Sequence, residues 1–171
     1  MQVVKKIVFI LLIVWLGFLV FMPKVSLYNT VQARLAKKDI RINEEHIDEG
    51  LFSLTLTGVN VYVKGINLVH IDKIDLFTLV FYTRIDIKNM VVDEVLHRKV
   101  PEHIATLKAT HILIKPDTIM METSGSFGVA KGEIQLRDKK AHLELIEVDK
   151  IEKIKSILQK DKKGWFYEKS F

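Results

Sequence analysis

The sequence predicts an α+β chain: an N-terminal transmembrane helix, then a mostly antiparallel, curved β-sheet body with a juxtamembrane helix and a C-terminal helix. Three observations point there. The first 22 residues carry an apolar run that ends at Pro23. From Asp39 to Val148 apolar residues recur at every second position, the period of a strand with one buried face. On either side, Ser26 to Lys38 and Asp149 to Gln159 repeat every third or fourth residue, the period of a helix.

The apolar run Ile7 to Met22 has no charged or strongly polar residue. It is slightly shorter than the roughly 20 residues that cross a hydrocarbon core. Val3 and Val4 extend it if Lys5 and Lys6 snorkel toward the headgroups. A cleaved signal peptide would end its apolar region near an A-x-A-like site. The nearest candidate, Val31-Gln32-Ala33, lies well beyond the run, so Met1 to Met22 is expected to be retained. Lys5 and Lys6 abut the run, whereas Lys24, Arg34, Lys37 and Lys38 are mostly further from its other end. That asymmetry places the N-terminus in the cytoplasm and exports the body. The expected division is a transmembrane anchor over 1–22, a juxtamembrane helix over 23–38 and a periplasmic β-rich domain over 39–171.

With no cysteine the body cannot use disulfides and must rest on core packing. Roughly 150 residues follow the anchor, an ordinary single domain. The net charge of +5 is modest and spread along the chain, and two of the positive charges are Lys5 and Lys6. It gives no argument for nucleic acid.

In the helix from Ser26 to Lys38, Leu27, Val31 and Leu35 form the apolar stripe, Ser26 is the expected N-cap, and Gln32, Arg34 and Lys38 point away. Strand alternation begins at Ile40 and Ile42, continues through Leu54 and Leu56, and restarts out of phase at Val59, Val61 and Val63, so Gly58 marks a bulge or tight bend. Gly65 closes that run. Further strands are expected at Ile66–Leu68, Ile71–Phe81, Ile85–Val92, Ile104–Lys115, Thr118–Glu122, Phe127–Arg137 and Ala141–Val148, with a polar turn at Arg137–Lys140. In the last helix Ile151, Ile154 and Leu158 share a stripe, Asp149 and Glu152 suit a capping box and Gly164 the stop. The terminal Trp165–Phe171 reads as a strand.

The six histidines, His46, His70, His97, His103, His111 and His142, are scattered without the close ligand pairs of a zinc site. Gly125 to Gly132 has neither dinucleotide-fingerprint nor Walker spacing and precedes a strand, so its glycines are read as turn and bulge residues. Ser124 and Ser126 lack a nucleophile-elbow context. The acidic cluster Glu44–Glu49 lacks calcium-loop spacing and is read as a solvated loop. No catalytic, cofactor or metal residue is therefore nominated, and none of these patterns points to an enzyme. The candidate interaction residues are Trp165, Phe166, Tyr167 and Phe171. They either close the protein's own sheet or add to a neighbour's edge.

The anchor, Leu35-Ala-Lys-Lys, Gly58-Val-Asn-Val, Ile66-Asn-Leu and the glycine-punctuated stretch from Gly125 to Leu136 follow one another along the chain. This layout resembles the type II secretion N protein and, more distantly, the AsmA-like envelope proteins. The resemblance implies a bacterial inner-membrane anchor and a non-enzymatic periplasmic β-sheet body. The Lys- and Ile-rich composition is similar to that of the campylobacters, where small anchored periplasmic proteins serve as scaffold parts of the flagellar motor. The expectation is a structural component of a large envelope machine, a motor scaffold or a secretion system, with an AsmA-like lipid-handling module as the alternative. Implied partners are membrane lipid around the anchor and other protein subunits of the complex or further copies of the chain, with no nucleic acid and no cofactor.

Overall fold

The computed structural model describes residues 2–21, 23–79, 81–97, 100–149, 151–152, 154–162 and 164–171. Met1 and Met22 of the expected anchor, Val80 of the expected strand to Phe81, and Lys150 and Lys153 of the expected C-terminal helix lie outside the described residues. Two helices come first, α1 (Gln2–Phe21) and α2 (Lys24–Ala36). Eleven strands follow: β1 (Ile40–Asn43), β2 (His46–Glu49), β3 (Ser53–Val63), β4 (Ile66–Leu79), β5 (Tyr82–Val92), β6 (His103–Ile112), β7 (Thr118–Gly125), β8 (Gly128–Gln135), β9 (Lys140–Val148), β10 (Gln159–Lys160) and β11 (Trp165–Ser170). They form one antiparallel sheet in the order β1-β3-β4-β5-β6-β7-β8-β9-β11-β10, with β2 also paired to β3.

Among the described residues no helix is long and apolar enough to cross a membrane. The expected transmembrane helix is therefore corrected, together with the inner-membrane localisation and the periplasmic placement that rested on it. The physical reason lies at the ends of α1. Lys5 and Lys6 sit inside the helix, so its charge-free turns run only from Ile7 to Phe21. At about 1.5 Å per residue these cover about 22 Å, short of the roughly 30 Å hydrocarbon core.

α2 forms close to where periodicity puts it, but it docks on a different face. Pro23 occupies the N-cap position without a side-chain cap, and the Lys24 N–H donates to Glu49 Oε1 at 3.0 Å. Ser26, expected as the cap, lies within the first turn, and its carbonyl accepts the Thr30 hydroxyl. Leu27 and Val31 remain about half exposed, at 46% and 52%. Val25 and Tyr28 pack instead on the buried cluster Leu54, Leu56, Val59 and Ile71. Gln32, expected to point away, faces the sheet, where its amide donates to Ile42 O and Glu44 Oε2.

The sheet follows the period-two pattern and adds β2, where only Ile47 is apolar within an acidic stretch expected to be a loop. Gly58 does change the phase of β3, at φ +61°. Its neighbours change phase at the same level. Asp72 on β4, Asn89 on β5 (φ +51°) and Ala105 on β6 stand beside it in one transverse row. Leu56 and Val59, Ile74 and Ile71, Ile87 and Met90, and Leu107 and Ile104 flank this row, all on the same sheet face. The result is a crease across four strands that keeps one face apolar on both of its sides.

The expected C-terminal helix is also corrected. Asp149, the proposed cap, gives its backbone N–H to Phe127 O at 3.0 Å, which ties it to the β7–β8 turn. Beyond it, among the described residues, only Lys155–Ile157 is helical, as one 3₁₀ turn, and Leu158 is already extended toward β10. Ile151, Ile154, Ile157 and Leu158 still bury their side chains, against the second core cluster of Ile104, Phe127 and Ala130. The sequence spacing identified the buried residues but not the backbone that carries them.

Candidate functional site

The register makes the two faces of the sheet chemically different. From β2 to β9 one row of opposed residues runs Ile47, Leu56, Ile74, Ile87, Leu107, Thr123, Ala130 and Leu145. The next row on the same face runs Leu54, Leu76, Ile85, Ala109, Met121, Gly132, Leu143 and Tyr167. The one buried polar side chain among these, Thr123, is satisfied by donating to Thr106 O at 3.1 Å. Between these two rows, on the opposite face, runs Asp48, Thr55, Asp75, Asp86, Lys108, Glu122, Lys131 and Glu144.

Ion pairs and hydrogen bonds lace that outer face. Thr55 donates to Asp75 at 2.7 Å, Lys73 pairs with Asp75 at 2.9 Å, Arg84 with Asp86 at 2.6 Å and Lys131 with Glu122 at 2.9 Å. Partial burial pushes the Asp75 carboxyl up, but the Thr55 hydroxyl and Lys73 ammonium outweigh it and hold it below the usual range. The Lys131 ammonium likewise lowers Glu122. This face is built to meet water.

The apolar face is covered in two places, and a cavity lies under each cover. The first, of about 200 Å³, lies where the 151–158 segment crosses β6 to β9; Ile154, Ile157 and Leu158 close it over Ile104, Leu107, Phe127, Leu145 and Tyr167. Beside it, a Cβ on Gly132 would collide with the backbone oxygen of His142 on β9, so only glycine allows β8 this close approach to β9. The second, of about 450 Å³, lies beside α2 over β3 to β5. Leu27, Val31, Phe52, Leu54, Leu76 and Ile85 wall it, with Lys24, Tyr28 and Thr78 as the members that carry polar groups. The half-exposed stripe of α2 is thus one wall of an open trough.

A polar clasp holds α2 beside that trough. The Tyr28 hydroxyl donates to Glu44 Oε2 at 2.7 Å, and Gln32 Nε2 reaches the same oxygen at 2.9 Å. Burial, reinforced by the Glu44 carboxylate, pushes the Tyr28 phenol well above its ordinary value.

The four aromatic candidates do not form one patch. Tyr167 lines the smaller cavity. Phe166 lies on the outer face against the His142 ring, 5.4 Å between centroids. The ammonium groups of Lys155 and Lys160 both lie over the Trp165 ring, at 5.6 and 5.5 Å from its centre. Phe171 is exposed, with its N–H on Lys139 O. β11 as a whole pairs with β9 from Phe166 to Ser170, so the tail closes the protein's own sheet. Among the described residues no three His, Asp or Glu side chains come together as metal ligands. Sequence reasoning carried an open apolar face only through the lipid-handling alternative and did not place the trough beside α2. Its signal was the run of apolar alternation from β3 to β9, shifted in phase at Gly58, with too few apolar helical residues to cover it.

No protein-family model matches the chain, and comparison with curated proteins and with solved structures gives no match.

Proposed function

We propose that the protein is a non-enzymatic binding module that holds an acyl chain in the trough of its sheet. The observation that carries this reading is the 450 Å³ cavity, walled almost wholly by apolar side chains and bordered by the half-exposed Leu27 and Val31. Its volume lies within the roughly 300–1,000 Å³ of small-ligand pockets. Each methylene moved from water into such a site contributes about 0.8 kcal/mol. This is the lipid-handling alternative that the AsmA-like resemblance implies. The test uses the uncharged fluorophore N-phenyl-1-naphthylamine, whose emission rises in an apolar site. The native chain is expected to enhance it. Leu27→Asp and Val31→Asp, at exposed helix positions, are expected to fold but lose most of the enhancement. An unenhanced native protein, or wall variants that behave as the native one, would sink the reading.

A second reading, a structural subunit of a larger assembly, has one observation in its favour. β10 covers only Trp165 and Phe166 of β11, so beyond them the β11 edge has no strand beside it among the described residues and is open to strand addition. Light scattering over a range of concentrations tests self-assembly through this edge; a monomer throughout counts against it.

A further inference from the structure

We propose that the larger cavity takes a single-chain fatty acid whose carboxylate is held by the Lys24 ammonium. This rests on the acyl-chain reading above. Lys24 borders the cavity, and its side chain is only 14% exposed. A cation so covered is costly unless a partner compensates it. The nearest carboxylate is Glu49, whose Oε1 lies 3.7 Å from Nζ, beyond hydrogen-bond range. That same oxygen already accepts the Lys24 backbone N–H at 3.0 Å, at the start of α2. Glu49 Oε1 is therefore shared between the helix end and this ion pair, and the ammonium keeps donor capacity for a second, closer acceptor. Next to it lie Leu27, Phe52, Leu54 and Leu76, an apolar wall running from a cation.

A carboxylate at one end of an unbranched chain matches that arrangement. The volume of about 450 Å³ is in the lower part of the small-ligand range, room for one chain rather than the two of a phospholipid. A peptide would need partners for its backbone groups, and the wall offers few beyond Lys24 and Thr78. The Tyr28 hydroxyl is engaged with Glu44.

The full-length chain should be titrated with palmitate and with 1-hexadecanol, the same chain without the charge, each displacing N-phenyl-1-naphthylamine. Palmitate is expected to bind more tightly than hexadecanol. Lys24→Met should weaken palmitate at least tenfold and leave hexadecanol within twofold, while Lys24→Arg should retain most of the palmitate affinity. Glu49→Gln removes the competing charge and should tighten palmitate severalfold; thermal melts check that each variant folds. Palmitate unchanged in Lys24→Met, or both ligands weakened equally, overturns the head-group assignment and leaves the acyl-chain reading standing. A native chain that binds neither overturns both.

Discussion

The Tyr28 hydroxyl donates to the Glu44 carboxylate at 2.7 Å, so that a residue of α2 and one of the β1–β2 connection fix the helix against the sheet. With Gln32 on the same oxygen, this contact decides which face of α2 looks down and which borders the trough.

Tyr28→Phe keeps the ring and deletes the hydrogen bond to a charged acceptor. A loss of about 1.5–2 kcal/mol is expected, a fall in Tm of about 3–8 °C for a chain of this size. The pH dependence has a definite sign. The folded phenol titrates above its unfolded value of 10.0, so its contribution is complete below pH 10 and is lost as pH rises from there toward the folded pKa. The melting difference between native protein and Tyr28→Phe should therefore narrow above about pH 10. A difference that holds constant to pH 11 would show that the phenol does not titrate as described.

At the crease, Gly58 has φ +61°, and a Cβ there would run into the Glu45 side chain. Gly58→Ala should cost about 1–2 kcal/mol from backbone conformation alone, with more from displacing Glu45. Asn89 shares the left-handed conformation at φ +51°. Asn89→Gly tolerates it but loses the bond to Asp72 Oδ2 at 2.9 Å and should change stability by under about 1 kcal/mol. Urea unfolding of the two variants checks the order. Equal losses would mean the crease does not depend on Gly58.

Much of the sheet was legible in the sequence because alternation is a direct imprint of burying one face. The phase change at Gly58 was legible too, since Leu56 and Val59 cannot share a face of an unbulged strand. β2 was not, because a strand held by pairing with β3 needs little hydrophobicity of its own and Ile47 is its one apolar residue. The docking face of α2 was misread for a related reason. Gln32 is polar, and its burial depends on Glu44 and Ile42 O, partners that no helical period reveals. The 151–158 segment has helical spacing, yet the Asp149 N–H is bonded to Phe127 O, which draws the chain away from a helix start. The trough is a property of the whole sheet and its sparse cover, and no local pattern contains it.

Val59 is fully buried, at 0% exposure, in the cluster beneath α2. Val59→Ala removes two methyl groups and leaves a void, at an expected cost of about 2 kcal/mol. Val31→Ala, on the exposed trough wall, should cost under about 0.5 kcal/mol. Chemical denaturation measures both; a costly Val31→Ala would mean that something in the folded chain already covers the wall.

Within the terminal strand, Tyr167 and Phe171 should differ sharply. Tyr167 lines the smaller cavity and pairs with Leu143, so Tyr167→Ala is expected to lower stability by about 2 kcal/mol or more. Phe171 is 64% exposed, and Phe171→Ser should leave Tm within about 1–2 °C. If Phe171→Ser instead abolishes a concentration-dependent assembly without affecting folding, the edge reading gains over the trough.

The crease also limits how this chain can change length. Gly58, Asp72, Asn89 and Ala105 each shift the in-and-out order of their strand by one step at a common level. Deleting Gly58 alone, with the pairing of Val59 to Val63 and of β4 kept, would move each preceding residue one place on, turning Leu54 and Leu56 to the water-facing side and Ser53 and Thr55 to the apolar one while Thr57 takes the place of Gly58 in the crease. The neighbouring strands would keep their own phase and oppose the misplaced residues. A single-residue insertion or deletion within these four strands is thus a fault that only matching changes in the other three can repair. The turns between strands carry no such constraint, so a change of length there leaves the width of the trough as it is.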